Sequence, residues 1–474
     1  MTSAPLLEAH GLTIETPGGR ALVRDLTLHL GRERVALVGR NGVGKSTLLD
    51  VLAGRREAAS GRIVRRGRHL LLPQLAAQTD DDAAGSSPGE RQRRRLEQAR
   101  AARPELLLLD EPSQELDARG VAWLASWLAE WRDGLVVVSH DRRVLRAFDQ
   151  FVVLAESGCR LVSGTFDELL AELEREREDG ERRYLGHLNR LVASEEHNAA
   201  VRRRRQRKKN LGRIRELKRC PARIKLNDKR SYKQESQGKR RVLQEARIGA
   251  ARDEAKTARR ALRVDLPLEV ALPRLPEGPA SPVLACEGLT AEADGRSLFR
   301  DLAFTIGRER VAVVGPNGSG KTTLLEVVLG LREPTAGHAR RDASRLGYVA
   351  QGAANWRLDD SVAELVAREL DAPPSPDALA ALLHAHRFPL ALASRPLATL
   401  SPGERVRAAL VCLTRRRPAP ELLVLDEPTQ HLDFAGLAAL EAVLAAWPGG
   451  LLLVNDDPEL LGRLGVARTI TLGG

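Results

Sequence analysis

The chain has 474 residues, with 75 Lys and Arg against 63 Asp and Glu for a formal net charge of +12, and its length is material for about three domains. No apolar run approaches the ~20 residues a helix needs to span a bilayer, and Met1 to His10 carries no basic region followed by a long apolar one, which argues against a membrane-spanning subunit or a secretory leader and leads us to expect a cytoplasmic protein with no membrane partner. Cys159, Cys220, Cys286 and Cys412 lie far apart with no Cys-x-x-Cys pair, a pattern that favours incidental thiols over disulfides or metal ligands.

In chain order, an apolar strand, Val35–Val38, runs into Gly39-Arg40-Asn41-Gly42-Val43-Gly44-Lys45-Ser46 and then a helical stretch from Thr47 to Leu52. Strand, glycine loop and helix form the setting a P-loop requires. Backbone N–H groups of such a loop curl round phosphate at the positive end of the helix, which makes Gly39, Asn41, Gly42, Gly44 and Thr47 candidate nucleotide contacts. Lys45 is expected to neutralise the terminal phosphates, and Ser46 to offer its hydroxyl to magnesium. Ser87-Pro88-Gly89-Glu90 follows, and then the run Leu106 to Asp110, which predicts a buried parallel strand carrying Asp110 to its C-terminal edge, where ligands of α/β sheets bind. Asp110 is the expected magnesium ligand, and Glu111, one residue further on, is placed to orient or deprotonate an attacking water.

The middle of the chain is different. From Glu172 to Arg263 there are 30 Lys and Arg against 14 Asp and Glu, a net of +16, so everything outside this stretch sums to −4; Val201 to Arg241 alone holds 19 basic and 3 acidic residues. Such local density is the footprint of a polyanion partner, because each cation that meets a phosphate releases condensed counterions. Leu185, Leu188, Leu191 and Val192, then Leu211, Ile214 and Leu217, recur at spacings of three and four, the period of one helical face. Pro221 and Gly238 interrupt this pattern before a second helical run from Arg240 to Arg263, so a helical hairpin is expected. A helix over 187–218 would be about 48 Å long. Arg202, Arg203, Arg204 and Arg205 are consecutive and point to every side of such a helix, which suits a crevice walled by phosphate better than a flat surface. With Arg207, Lys208, Lys209, Arg223, Lys225, Lys229 and Arg230 they are the candidate RNA contacts. The plain alternative is a solvated charged hairpin without a partner.

The first order of motifs then recurs. Val311–Val314 leads into Gly315-Pro316-Asn317-Gly318-Ser319-Gly320-Lys321-Thr322 and a helix from Thr323 to Leu329, then come Ser401-Pro402-Gly403-Glu404 and Leu422 to Asp426 with Glu427 and Pro428 behind it. Gly315, Asn317, Gly318, Gly320, Lys321 and Thr323 take the same expected phosphate-binding roles, Thr322 and Asp426 the magnesium roles, and Glu427 that of the base.

This ordered set, found twice, resembles an ATP-binding cassette protein with two nucleotide-binding domains in one chain. The resemblance implies that Ser87, Gly89 and Glu90, and Ser401, Gly403 and Glu404, are signature residues that cap the ATP held by the opposite cassette; Pro88 and Pro402 replace a glycine usual there. Gln74 and Gln351 match the family's Q-loop and are implied ligands of ATP and magnesium. His140 matches its switch histidine, and Asp117 and Asp433 its D-loop aspartates. A two-cassette chain with a basic helical linker and no membrane segment resembles, more narrowly, the ABC-F family of soluble ATPases. Cys220 to Arg230, into Gln237 to Arg241, is similar to linker tips of its resistance-type members. The expected fold is therefore α/β, two P-loop NTPase cassettes of ABC type joined by an α-helical hairpin linker. The expected division is 1–165, 166–280 and 281–474, in a monomer whose two cassettes pair within the chain. The cofactors implied are ATP and magnesium, and the partner is the ribosome, at large-subunit RNA and the tRNA exit site.

Three departures qualify the resemblance. Gln74 and Ser87 are 13 positions apart whereas Gln351 and Ser401 are 50 apart, so the helical subdomain of the first cassette is shortened and the signature at Ser87 is expected to be poorly supported. In the second cassette Asn455 is taken to replace the switch histidine, and asparagine cannot change charge near neutral pH. In a head-to-tail pairing Lys45, Glu111 and His140 face Ser401, while Lys321, Glu427 and Asn455 face Ser87, which predicts a degenerate second site. Finally, the aromatic on which adenine often stacks is absent near Pro17 to Arg20 and Asp294 to Arg296, which predicts weak discrimination between ATP and GTP. The function expected is ATP-dependent ribosome binding that confers antibiotic resistance by ribosome protection. A general translation factor of the same family is the alternative. The ATP subunit of a drug exporter would need the helical subdomain that the first cassette has almost lost, and a DNA-maintenance ATPase would call for zinc cysteines or longer coiled coils.

Overall fold

The computed structural model describes residues 5–74, 87–190, 249–250, 272–275 and 281–473, apart from positions 17, 20, 156–157, 181, 184–185, 188–189, 294, 370–374, 386–387, 389–391, 401, 415, 417 and 431. The chain falls into two compact units, Met1–Glu168 with Pro267–Gly474, and Leu169–Leu266. The basic linker positions from Arg202 to Arg230, the segment expected to form a helical hairpin and Ser401 lie outside the described residues. Of the second unit, the described part continues a helix over 166–180, along which Arg177 donates to Glu174 at 2.9 Å. Among the described residues no helix is long and apolar enough to cross a membrane.

Within the first unit each half is an α/β cassette, as expected. The first half contains β1 (Leu7–Glu15), β2 (Ala21–Leu30), β3 (Arg34–Gly39), β4 (Ser60–Arg65), β5 (His69–Leu72), β6 (Leu106–Asp110), β7 (Gly134–Val138), β8 (Gln150–Ala155) and β9 (Gly158–Ser163). The second contains β10 (Leu284–Ala293), β11 (Arg296–Ile306), β12 (Arg310–Val314), β13 (Ala336–Arg341), β14 (Leu346–Val349), β15 (Leu422–Asp426), β16 (Gly450–Val454) and β17 (Arg468–Thr471). Each pairs a three-stranded antiparallel sheet, β2-β1-β4 or β11-β10-β13, with a larger sheet ordered β5-β6-β7-β3-β8-β9 or β14-β15-β16-β12-β17. Those orders place the P-loop strands, β3 and β12, two places from β6 and β15, with β7 or β16 between. The loops after all three strands therefore meet at one edge, which is where α/β sheets bind ligands.

Local sequence explains both sheet types. In β1, Leu7 and Ala9 are buried, then Leu12 and Ile14; the register shifts between Ala9 and Leu12, so a bulge moves the alternation by one residue and keeps the apolar side inward. β6 and β15 have no alternation. Leu106 to Leu109 and Leu422 to Leu425 are fully buried, as strands covered on both faces must be. Leu48, Leu49 and Leu52 of the helix Lys45–Ala53 close the core between the two sheets, and Leu324, Leu325 and Val328 do the same in the second cassette.

The cassettes meet through specific polar and aromatic contacts. The backbone N–H of Asn41 donates to Asp433 Oδ2 at 3.3 Å, and Asn317 Nδ2 donates to the Glu115 carbonyl at 2.6 Å. Phe434, from the second cassette, sits 5.5 Å from the rings of both His140 and Phe166 of the first. Beside it Arg142, with only 6% of its side chain exposed, lies 3.0 Å from Glu441 and 3.6 Å from Glu459. Glu441 also pairs with Arg463, a half-exposed residue, at 2.9 Å. A guanidinium buried this deeply is tolerated only when carboxylates meet it.

Arg142→Ala should therefore destabilise the paired cassettes by about 2–4 kcal/mol, somewhat less than a fully orphaned partner would cost because Arg463 remains on Glu441. Arg463→Ala should cost under ~1 kcal/mol, as exposed pairs do. Urea midpoints of the two variants check this, and equal shifts would show that the buried pair does not organise the joint.

Candidate functional site

Both P-loops end in a glycine that caps the following helix in a conformation side chains avoid. Gly44 (φ 107°) precedes Lys45–Ala53, and Gly320 (φ 93°) precedes Lys321–Leu329. A Cβ there would also press on Leu22 at 3.0 Å or Leu298 at 2.8 Å. The lysines that open these helices are buried, 7% exposed each. Lys45 Nζ donates to the carbonyls of Gly39 and Arg40 at 2.8 and 2.9 Å, and burial lowers its pKa while Glu111, Asp433 and Asp110 oppose that shift.

Asp110 and Asp426 emerge at the ends of β6 and β15, 6% and 4% exposed. Burial raises both carboxyls above their usual range, opposed by hydrogen bonds from the Ser46 and Thr322 hydroxyls, the very groups expected to share magnesium. Asp110 Oδ1 is buried with no hydrogen-bond partner among the described residues. A carboxylate with a free buried oxygen beside a hydroxyl is a hard-oxygen donor set that fits magnesium. Gln74 Nε2 donates to Gln114 Oε1 at 2.9 Å, and Gln351 to Gln430, so both Q-loop residues lie against the segment that follows the acidic pair.

Glu111 and Glu427 both adopt left-handed backbone, φ 47° and 43°, a costly conformation for glutamate and one that concentrates at functional sites. The turn is fixed by their N–H groups, which donate to the Val138 and Val454 carbonyls at 2.9 and 3.1 Å. Burial pushes the Glu111 carboxyl up to about 8, Lys45 opposing and Asp110 adding to the shift. The Glu427 carboxyl is pushed up to about 7 by burial and then Asp426. His140 Nε2 lies 3.5 Å from Glu111 Oε1.

Of these groups, Lys45, Ser46, Gln74, Glu111 and His140 line one cleft of about 1430 Å³ together with Lys321, Thr322, Gln351 and Glu427 of the other cassette, and Thr47, Thr323 and Asn455 line it as well. Ser87 and Pro88 line it too. Ser87 and Glu90 form a reciprocal capping box at the start of the helix Pro88–Ala101, with Pro88 in its first turn, where its missing N–H costs nothing. The shortened first cassette still anchors this helix, contrary to expectation: Leu96 is fully buried, Arg95 donates to the Pro73 carbonyl at 3.0 Å and the buried Gln92 to that of Pro112 at 3.1 Å. A Cβ on Gly89 would meet the Glu115 carbonyl at 2.6 Å and Asn317 at 3.2 Å, so this signature and the second P-loop approach backbone to side chain. In the other signature, a Cβ on Gly403 would meet Leu432 at 2.8 Å; Glu404 follows in the first turn of its helix, Pro402–Leu413.

One expectation needs correction. Strand pairing sets Val138 opposite Asp110 and Val454 opposite Asp426, so Ser139 corresponds to Asn455 and His140 to Asp456. Side chains agree: Ser139 lies 3.3 Å from Ser113, and Asn455 donates to Thr429 at 2.8 Å. Each also accepts the N–H of an aspartate two residues on, Asp141 or Asp457. The residue in the switch position of the second cassette is thus Asp456, 3.5 Å from Lys321 Nζ. A constant spacing of 30 residues from Asp110 to His140 and from Asp426 to Asp456 carries this signal in the sequence. The sequence reading also missed Phe434, Glu115 and the Arg142–Glu441 pair. His10 and His29, isolated in the sequence, lie ring to ring at 5.0 Å on the outer sheet.

The ABC transporter family profile matches residues 23–79 and 299–430. The chain is 30% identical over 488 residues to the ATP-binding protein Uup of Caulobacter vibrioides, covering 94% of this chain and 73% of that protein. It is 28% identical over 461 residues to the ribosome protection protein VmlR of Bacillus subtilis, covering 90% and 79%. It is 29% identical over 395 residues to the energy-dependent translational throttle protein EttA of Mycobacterium tuberculosis, covering 81% and 63%. Among solved structures it is similar to an archaeal ribosome recycling factor complexed with a ribosomal stalk protein, with a TM-score of 0.58 at 19% identity over 98% of this chain and 87% of that one, a likeness of fold.

The raised Glu111 carboxyl has a measurable consequence. Between its usual value of 4.5 and about 8 the folded state holds a proton that the unfolded state has released, so stability falls as pH rises through that window, with a slope for one proton of at most about 1.4 kcal/mol per pH unit. In metal- and nucleotide-free protein, melting temperature should drop less between pH 5.5 and 8.5 for Glu111→Gln than for wild type. Parallel curves would place the carboxyl in the ordinary range.

Proposed function

The chain belongs to the ABC-F family of ATP-binding cassette proteins, and from that premise we propose an ATPase whose cassettes close on ATP and, once closed, hold the ribosome through the basic segment 166–280. The nucleotide half rests chiefly on one observation: a P-loop lysine and a left-handed glutamate meet twice in a single cleft between cassettes, each glutamate preceded by a buried aspartate at a strand end. The ribosome half is supported by the net +16 of residues 172–263 and by relatives named for ribosome protection and for throttling translation. The segment is proposed to reach large-subunit RNA at the tRNA exit site and to point towards the peptidyl-transferase centre. Protection against an antibiotic follows as the biological role, in the cytoplasm.

Magnesium, when bound, neutralises and orients the terminal phosphates; Ser46, Gln74 and Asp110 would hold it in the first site and Thr322, Gln351 and Asp426 in the second. Lys45 exchanges its two loop carbonyls for phosphate oxygens. Glu111, ionised, orients the attacking water and accepts its proton, and His140 fixes that carboxylate from the far side. Asn41 and Asp433 tie the first P-loop to the opposite cassette, so occupancy of the cleft and closure are linked. With Asp456 in place of a histidine, the second site is proposed to hydrolyse more slowly.

Glu111→Gln with Glu427→Gln should slow turnover by the ~10² to 10⁴ that a general base contributes, leaving a closed form that pellets with ribosomes when ATP is present. No ATP-dependent enrichment would sink the ribosome reading. Of the single variants, Glu111→Gln should remove most steady-state turnover and Glu427→Gln much less; equal losses would mean that the two sites fire together.

Changing Arg203, Arg205, Lys208 and Lys209 to Gln should weaken ribosome binding and flatten its salt dependence by about 0.7–0.9 in log–log slope per lost phosphate contact. ATP binding should be nearly unchanged. Affinity across a salt series decides, and an unchanged slope would reduce the segment to a solvated linker.

A further inference from the structure

Asp456 has no duty in the local fold that would explain its charge. Asp457 supplies the cap of the helix Pro458–Arg463, accepting the Glu459 N–H at 3.0 Å, and Asn455 ties the strand end to Thr429. The Asp456 carboxylate turns instead to the P-loop. Its Oδ1 accepts the N–H of Gly315, the first residue of the loop, at 3.2 Å, and its Oδ2 lies 3.5 Å from Lys321 Nζ. A backbone N–H and the P-loop ammonium are the donors that a P-loop offers to phosphate. Both P-loop lysines donate to the carbonyls of their own loops, Lys45 to Gly39 and Arg40 and Lys321 to Gly315 and Pro316, but at the place of Asp456 the first cassette has His140, which carries no negative charge and faces Glu111.

We propose that Asp456 is a specificity determinant of the second composite site: its carboxylate stands in for a terminal phosphate against Lys321 and Gly315, so that this site takes a nucleoside diphosphate in preference to a triphosphate. The proposal rests on the nucleotide-binding reading above and refines it for one of the two sites. Asp426, Glu427 and Asp456 all converge on Lys321, and a triphosphate would bring its extra charge to the point where the third carboxylate already sits. Like charges at such range disfavour each other strongly in a partly buried cleft. A diphosphate stops short of that point and leaves the Asp456–Lys321 pair in place. The second site then holds its nucleotide through cycles in which the first turns over.

The test uses full-length protein with one site blinded at a time: Lys45→Ala reports the second site and Lys321→Ala the first. Each is titrated calorimetrically, in the presence of magnesium, with ADP and with a non-hydrolysable ATP analogue. The ratio of triphosphate to diphosphate Kd should be about tenfold or more higher in Lys45→Ala than in Lys321→Ala, the scale set by about one charge–charge contact. Asp456→Asn keeps an acceptor for the Gly315 N–H and removes only the charge. Added to Lys45→Ala, it should bring the ratio down about tenfold with ADP affinity changed less than about threefold. Equal ratios at the two sites, or a ratio that Asp456→Asn leaves unchanged, would overturn the proposal while nucleotide binding stands. Failure of both blinded proteins to bind either ligand would overturn the nucleotide reading and the proposal with it. If Asp456→Asn binds neither ligand, the comparison of Lys45→Ala with Lys321→Ala, which leaves residue 456 untouched, decides the matter.

Discussion

Two unbroken runs of four buried aliphatic residues set the terms for the whole cleft. Leu106 to Leu109, and Leu422 to Leu425, are buried on both faces of their sheets, so the next two residues, acidic in each case, can only emerge at the sheet edge. They do so still largely buried, which lifts their carboxyls towards neutrality, while the hydrogen bonds of the glutamate N–H groups to the neighbouring strand fix their backbone left-handed. Burial that stabilises the strand thus creates an electrostatic cost at its end, and a cation with hydroxyl and carboxylate ligands is a natural way to offset it. The same strands fix the neighbouring loops, because the register of β6 on β7 and of β15 on β16 decides which side chain faces the P-loop.

The two cassettes share this plan and spend it differently. Where the first has His140 and Arg142, the second has Asp456 and Pro458; where the second has Phe434 and Glu441, the first has Ala118 and Ala125. Each difference falls at the joint between cassettes or at the rim of the cleft, and none disturbs the sheets. The buried Arg142–Glu441 pair therefore has no charged equivalent at the corresponding positions, Pro458 and Ala125, and the ion pair belongs to one half of the joint.

Much of this was legible in the sequence because it is carried by contiguous residues: a glycine loop between strand and helix, or a leucine run ended by two acids. The α/β cassettes and their order follow from those runs together with the family resemblance that they carry. What escaped depended on register or on distant pairing. Asn455 was matched to His140 by chemical likeness, one residue away from the match that strand pairing imposes. Ser87 and Glu90 looked like ligand groups only, although their spacing of three is also that of a capping box, and the anchoring of their helix by Gln92 and Arg95 needs Pro112 and Pro73, far off in the chain. Arg142 and Glu441 are separated by some three hundred residues, and nothing local in either marks them as partners.

Phe434 lies between His140 and Phe166, and Phe166 in turn lies 6.1 Å from Phe151 on β8. Phe166 begins the helix over 166–180, so this aromatic series joins the imidazole of the first site to the start of that helix by direct packing, and closely packed rings leave little room for one to move without its neighbours. Ala118, at the place of Phe434 in the opposite joint, has no ring to push with. The aromatic series is therefore one-sided: it starts beside the first site and has no counterpart ring at the other joint.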